Sequence, residues 1–340
     1  MLRGSAKKGS LPPSRPPRPD ELGLLTARQL DRRRLRWRLT LPLLDVNLDW
    51  RDPECPWWVK LRRAGVRLNE LHQAVGSFRT REPWRLVTED GRRPGEVAYR
   101  FRTLCPIPTD IAVTAGEVVH SLRSALDSVV FELARKYAGS LTPKQERTPA
   151  FKSFVDEESF RESMERKLRD LCGEREIAAL RSVQPFAFAA EAAAIGVNTE
   201  RQPGNDLVMD VPNRLDVLWN IDKHRRLLKL AWYVDDLVFW PECGKGGGWT
   251  PALDCPGPLA DGALIGYFRG GEGYEERSIE PTFEFFLRLT DDPCAHPEDL
   301  CKLLSSWHDT LGCWVVPRMF ITANTDGSPP ILIPGGWPYR

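Results

Sequence analysis

The sequence predicts an α+β fold: a helical core with an inserted β-hairpin, followed by a small antiparallel sheet and a C-terminal helix. Apolar residues recur at helical spacing in most of the first two thirds of the chain and again near its end. Beyond the N-terminal 50 residues, two-residue alternation occurs in one hairpin near residue 90 and in short runs after residue 228. Helices and strands that are grouped in this way favour an α+β fold over a doubly wound sheet.

Composition divides the chain into an arm, a domain and a tail. Residues 1–50 are predicted to form a basic, partly disordered arm with a possible edge strand at 34–41, residues 51–322 a single α+β domain, and residues 323–340 a loose tail. The first 40 residues carry eleven Lys and Arg against Asp20, Glu21 and Asp31, a net charge of +8 within a chain whose total is +1. Such an arm either contacts a polyanion such as RNA or serves as a solubilising segment.

Several classes of protein are disfavoured. No apolar run reaches the length of a membrane span, and the N-terminus lacks the apolar core of a secretory signal, so we expect a cytoplasmic protein without a membrane partner. The eight cysteines form no CxxC pair. Cys301 and His308, within the pattern that most resembles a zinc site, would lie roughly 10 Å apart along one helix. We therefore expect no metal and no cofactor, and the oligomeric state stays open.

The first half of the domain is predicted to begin with a helix from Trp57 to about Phe78. Alternation on both sides of a turn at 90–95 then predicts a β-hairpin, with strands starting near Trp84 and near Val97. A long helix follows to about Tyr137, with Thr109 or Asp110 as its N-cap.

The second half is predicted to contain shorter elements. Residues 186–210 have little periodicity and favour a mobile loop or an insertion. Pro212 suits an early position of the helix that follows. The predicted helices of this half are 156–171, 173–183, 212–226 and 297–316, and its β-type runs lie within 228–240 and 263–289.

The long helix carries an unusual polar face. On a helical wheel Val119, Leu122, Leu126, Val130 and Leu133 form the buried stripe. The opposite side contains Glu117, His120, Ser121, Ser124, Asp127 and Ser128, with Arg123 at the border. This face lacks the Lys and Glu of an ordinary solvated surface, and its serines permit close approach by another element or by a ligand. A functional site, a buried structural network and plain surface all remain open.

A second polar cluster, Asn220-Ile221-Asp222-Lys223-His224-Arg225, ends the helix predicted at 212–226. Basic residues are favoured near a helix C-terminus by its dipole, which is the ordinary explanation of this cluster. The functional interpretation places His224 and Arg225 opposite His120 and Arg123 across a groove.

In that interpretation the two clusters act together on a phosphate. His120 and His224 would act as general acid and base, Arg123 and Arg225 would hold the phosphate, and Asp127 and Asp222 would orient the imidazoles. These groups suffice for RNA cleavage through the 2′-hydroxyl without a metal. Glu117, Asp127 and Asp222 could instead hold a divalent cation, but their spacing matches no standard site.

These clusters resemble a family of uncharacterised bacterial proteins, common in actinomycetes. The family pattern is an Ala-Gly-Glu-x-x-His-x-Leu-Arg-Ser-Ala-Leu-Asp helix, matched at 115–127, and a later Asn-x-Asp-Lys-His-Arg, matched at 220–225. The resemblance spans residues 57–322 and implies a site without specifying a reaction. Ser121 and Ser128 depart from the Asn and His that the family commonly has there.

Three functions therefore remain, and whether the protein is an enzyme stays open. The first is chemistry on RNA or a nucleotide, the second is non-catalytic binding of a ligand or partner, and the third is a purely structural polar network. A more distant similarity to HEPN-type ribonucleases rests on Arg67 and His72, whose spacing is expected by chance in a chain with 37 arginines and five histidines.

Overall fold

The computed structural model describes residues 54–194, 206–223, 227–234, 248–251, 257–270, 285–290 and 299–325. The helices are α1 (Pro56–Arg79), α2 (Thr109–Ala138), α3 (157–168), α4 (Glu174–Ser182), α5 (Pro185–Ala194), α6 (Asp206–Lys223) and α7 (300–324). The strands are β1 (Trp84–Asp90), β2 (Glu96–Thr103), β3 (Leu230–Val234), β4 (Gly248–Pro251), β5 (Leu264–Arg269) and β6 (Phe285–Leu289). The α+β prediction is confirmed.

Helix α2 is the centre of the core. Its predicted apolar stripe is fully buried, and the helix also contacts α1, α4, α6 and α7. Helix α1 lies along it in the antiparallel direction, because Lys60 meets Ser128 while Arg67 meets Glu117. The apolar residues of α1 recur every three or four positions, so one face of this helix is buried against α2.

The hairpin β1–β2 does not stand alone. It pairs with β5, and β5 pairs with β4, which gives a four-stranded antiparallel sheet in the order β1-β2-β5-β4. Strands β3 and β6 form a separate antiparallel pair. Arg79 at the end of α1 donates hydrogen bonds to the Phe285 carbonyl of β6 and to Asp299, the N-cap of α7. These bonds tie the two-stranded sheet to the ends of two helices.

Four expectations for the helices are wrong in detail. Residues 186–194 belong to α5, not to a loop, because alanine is the strongest helix former and Pro185 supplies the first helical position. Helix α6 begins at Asp206, so that Pro212 lies inside it. The N-cap of α2 is Pro108, one residue before the predicted position, and makes no side-chain cap bond. The C-terminal helix continues to Asn324 and does not end at residue 316.

Helix α7 passes Pro317 through a π-helical turn at Leu311–Val315. Proline lacks an N–H and its ring crowds the carbonyl four residues earlier, which normally ends or bends a helix. The wider turn immediately before Pro317 relaxes this conflict. In the part of the chain that the structure describes, no helix combines the length and apolar character needed to cross a membrane.

The predicted arm, its possible edge strand and most of the predicted tail lie outside the described residues, as do 195–205 of the predicted loop.

Candidate functional site

The two predicted clusters meet where the C-terminal end of α6 rests on α2. Gly116 makes this approach possible, since a Cβ at that position would lie 2.8 Å from Oδ1 and 3.4 Å from Cγ of Asp222. A side chain of any size at residue 116 would therefore displace the carboxylate. One contact between helices thus explains both Gly116 of the first motif and Asp222 of the second.

A shallow cleft of about 310 Å³ opens beside this contact, between α1, α2 and the residues that follow α6. Its lining residues are Arg63, Arg67, Val113, Glu117, His120, Ser121, Asp222 and Leu227. Val113 and Leu227 are exposed apolar side chains at its wall. The cleft therefore combines charged groups of both signs, an imidazole and a small apolar surface, as ligand sites commonly do.

His120 is the imidazole of the cleft. It is exposed, and the indole N–H of Trp219 donates a hydrogen bond of 3.4 Å to its Nδ1. Because an indole can only donate, Nδ1 must be the acceptor, so that the neutral ring carries its proton on Nε2. The sequence assigned the orienting role to a carboxylate; the structure gives this hydrogen bond to Trp219.

The carboxylate of Asp222 is half-buried and lines the same cleft as His120. Within the described residues it accepts no hydrogen bond and forms no ion pair. A carboxylate in this state is available to a ligand or to a neighbouring side chain.

Glu117 and Arg67 form an ion pair across α1 and α2. Arg67 Nε lies 2.8 Å from Glu117 Oε2, and Arg67 also pairs with Glu70 on its own helix. The hydrogen bond to Glu70 is the main reason that the pKa of Arg67 is raised, so this guanidinium stays charged. By contrast, Arg63 is exposed and has no hydrogen bond or ion pair to any described residue. Of the two arginines, Arg63 is the one free to receive an anion.

Arg123 does not lie in the cleft. Its side chain is 3% exposed, and each of its three nitrogens has an acceptor: Asp216 at 2.9 Å from Nε, Asp127 from Nη1 and the Phe151 carbonyl from Nη2. The guanidinium also lies 5.0 Å from the centre of the Trp219 ring. Each guanidinium nitrogen is therefore bound to protein and the side chain is buried, so Arg123 is not accessible to a phosphate in the cleft.

Asp127 belongs to this buried network as well. Its Oδ1 accepts from Arg123 and, at 2.8 Å, from the backbone N–H of Phe151. His120 is not among the partners of Asp127 in the described residues. Arg123 and Asp127 thus join α2 to α6 and to the segment around Phe151, which matches the structural alternative that the sequence left open.

The small serines of α2 admit another element. Lys60 of α1 donates to the Ser124 carbonyl at 3.1 Å and to Ser128 Oγ at 2.7 Å, while Ser121 Oγ donates back to the Glu117 carbonyl. The serine face is therefore the contact surface for α1, and only its N-terminal end opens into the cleft.

His224 and Arg225 lie outside the described residues, so their placement opposite His120 stays a prediction. Residues that the sequence did not select are Arg63, Asp216 and Trp219. A usable signal existed for α6: Asp216, Trp219, Asn220 and Lys223 follow the i, i+3, i+4, i+7 spacing of one helical face. No local sequence pattern predicts that Arg63 lines the cleft, because its position beside α2 depends on how α1 packs against that helix.

No group of three or more His, Cys, Asp or Glu side chains is arranged to hold a metal ion in the described ranges. The chain matches no family model, no curated protein and no solved structure. The family resemblance drawn from the two motifs therefore stays a prediction.

Proposed function

We propose that the cleft binds a phosphate-bearing ligand of the RNA or nucleotide class, with His120 as an acid–base group. The observation that carries the proposal is the combination, in one cleft, of an exposed imidazole whose Nδ1 is held by Trp219 and an uncommitted guanidinium on Arg63. Guanidinium groups bind phosphate oxygens in bidentate fashion, and an imidazole at neutral pH can give or take a proton.

The roles differ in part from those that the sequence suggested. Arg63 takes the phosphate-binding role first given to Arg123, because Arg123 is buried and bound to Asp127, Asp216 and the Phe151 carbonyl. Arg67, held by Glu117, supplies a fixed positive charge at the same wall. Val113 and Leu227 offer apolar contact to a sugar or base. Asp222, together with His224 and Arg225 two and three residues later, completes the proposed set.

The reaction that these groups support is transesterification of RNA without a metal. One imidazole removes the proton of a 2′-hydroxyl, whose oxygen attacks the adjacent phosphorus. The P–O5′ bond breaks, and the second imidazole donates a proton to the departing 5′-oxygen. The products are a 2′,3′-cyclic phosphate and a 5′-hydroxyl, so that no water or cofactor is consumed. His120 and His224 fill the two proton-transfer roles.

Purified protein incubated with a mixed RNA pool tests the proposal. We expect cleavage with 2′,3′-cyclic phosphate ends, and a loss of at least about 100-fold in rate for His120→Ala, the usual scale of a general acid or base. His72→Ala is the matched control, since His72 of α1 is also exposed but hydrogen-bonds Ser305 of α7 and does not line the cleft. Equal rates for wild type and His120→Ala would remove the nuclease proposal.

Non-catalytic binding is the second candidate, and one observation favours it. Glu117 and Asp222 offset Arg63 and Arg67, so these charges of the lining cancel. A ligand with both anionic and hydrogen-bond-donating groups, such as a nucleotide, suits this lining better than phosphate alone. Binding of a nucleotide that is weakened by Arg63→Ala, with no turnover of any RNA, would select this candidate.

A further inference from the structure

The outer face of the four-stranded sheet is rich in arginine. Phe101 and Leu86, directly opposite each other on β2 and β1, face the core, which places the alternate residues on the solvent side. On that side Arg85 and Arg102 are directly opposite each other, and Arg100 and Arg269 follow on β2 and β5. Arg92 and Arg93 are exposed in the hairpin turn, and the Arg92 guanidinium lies over Tyr267 of β5.

Carboxylates only partly balance these charges. Glu89 pairs with Arg100 at 2.6 Å and Asp261 pairs with Arg102 at 3.3 Å. Glu96, directly opposite Arg269, accepts hydrogen bonds from the backbone N–H groups of the turn. Arg85 and Arg269 are exposed and have no hydrogen bond or ion pair within the described residues. The face therefore keeps an excess of positive charge.

Arg85 and Arg102 lie directly opposite each other, and Asp261 offsets only one of the two positive charges. Like charges directly opposite on neighbouring antiparallel strands repel, and the pairing register leaves them on one face. Charged residues on an edge strand discourage sheet-to-sheet aggregation, but a single charge on β1 would serve that purpose. Arg85 is the charge of this facing pair that no carboxylate of the described residues offsets, and an anionic partner over the face would compensate it.

An aromatic ring lies within this basic surface. Tyr267 of β5 is opposite Ala98 on the outer side and is half-buried, and the Arg92 guanidinium lies 5.1 Å from the centre of its ring. Arg92 is an exposed turn residue, so its side chain can move aside and leave the ring to a base. A β-sheet face that combines arginines with an aromatic platform is how many proteins hold single strands, with phosphates on the guanidiniums and bases on the ring.

We propose that this face binds single-stranded nucleic acid, with Arg85 and Arg269 contacting phosphates and Tyr267 stacking on a base. The surface is separate from the cleft around His120, and this inference does not depend on the function proposed for the cleft. Duplexes are poor ligands for the sheet because their bases are already stacked. RNA and DNA single strands share the chemistry that the face recognises.

Binding of fluorescent single-stranded RNA, single-stranded DNA and duplex DNA to the full chain, measured by anisotropy across a salt series, tests the proposal. The double variant Arg85→Ala/Arg269→Ala should weaken single-strand binding at least about tenfold and lower the salt slope by about 0.7 for each phosphate that is no longer neutralised. Tyr267→Ala should weaken binding about 5- to 100-fold, and Tyr267→Phe should keep most of the affinity. The matched control is Arg166→Ala/Arg169→Ala, which removes two exposed arginines of α3 and its end.

The relative affinities for RNA, single-stranded DNA and duplex DNA decide between the possible outcomes. Stronger binding of RNA than of DNA would identify the 2′-hydroxyl as part of the recognition, and equal binding would identify the backbone and bases alone. The proposal is overturned if the sheet and control variants bind equally well, or if duplex DNA binds as tightly as either single strand. Thermal unfolding of each variant checks that the fold is intact, and His72→Ala, outside both the sheet and the cleft, should leave single-strand binding unchanged.

Discussion

Replacement of Arg123 by methionine removes the charge that links α2, α6 and the Phe151 carbonyl. Three hydrogen bonds disappear, and Asp127 and Asp216 are left with no arginine partner. Loss of one member of a buried charged group costs about 3–5 kcal/mol. The side chains of these aspartates are 30% and 23% exposed, so water compensates in part. We expect a loss of about 3 kcal/mol, near the lower limit of that range.

Arg318→Met is the matched control for this prediction. Arg318 is also fully buried, but its Nε and Nη1 have no hydrogen-bond partner, and only Nη2 pairs, with the half-exposed Glu191. Methionine fills much of the same volume and removes two unsatisfied donors, which offsets the missing ion pair. The free energy of unfolding should therefore stay within about 1 kcal/mol of wild type.

Urea unfolding followed by circular dichroism gives both free energies, and thermal unfolding gives the corresponding midpoints. A loss of about 3 kcal/mol corresponds to a fall in Tm of roughly 6–12 °C for a domain of this size. Ordinary surface substitutions change the free energy of unfolding by up to roughly 0.5 kcal/mol. The reasoning is refuted if the free energy of unfolding of Arg123→Met lies within that range of the wild-type value, or if Arg318→Met loses as much stability as Arg123→Met.

Two further predictions concern the helix contact and the thiols. Gly116→Ala gains up to about 1 kcal/mol of helix propensity but displaces the Asp222 carboxylate. A double-mutant cycle with Asp222→Ala should therefore show coupling between the two substitutions in the free energy of unfolding. Additive effects would mean that the two residues do not touch. Burial raises the pKa of Cys172 and of Cys301 to about 12, so the thiolate fraction of each is small at pH 8. Alkylation followed by mass spectrometry should therefore label the exposed Cys105 long before either of them. Comparable labelling rates for the three cysteines would contradict the burial.

Much of the fold could be predicted because its signals are local. The two-residue alternation on both sides of the turn at 90–95 defines the hairpin, and the apolar stripe of α2 defines its buried side. The pairing of β2 with β5 could not be predicted, since the two strands are about 160 residues apart and no local pattern selects a partner. Pro317 misled the prediction of the last helix because the π-helical turn that accommodates it has no sequence signature.

The candidate site was predicted in part for the same reason. Periodicity placed His120 and Glu117 on one face of α2, and the structure brings Asp222 to them through Gly116. Periodicity also placed Arg123 at the border of that face, but which way a long side chain turns depends on the neighbouring helix. Asp216 and Trp219 of α6 draw Arg123 away from the cleft, and Arg63 of α1 takes its place.

The central claim is that the cleft around His120 receives a phosphate-bearing ligand. The chain has five histidines, so the ring signals of a sample labelled at histidine can be resolved by NMR and the His120 signal assigned from His120→Ala. During titration with an RNA dinucleotide that carries 2′-deoxyribose at the reactive position, and so cannot be cleaved, the His120 signal should shift saturably while that of His72 stays in place. A His120 signal that does not move, or equal movement of both rings, would contradict the account.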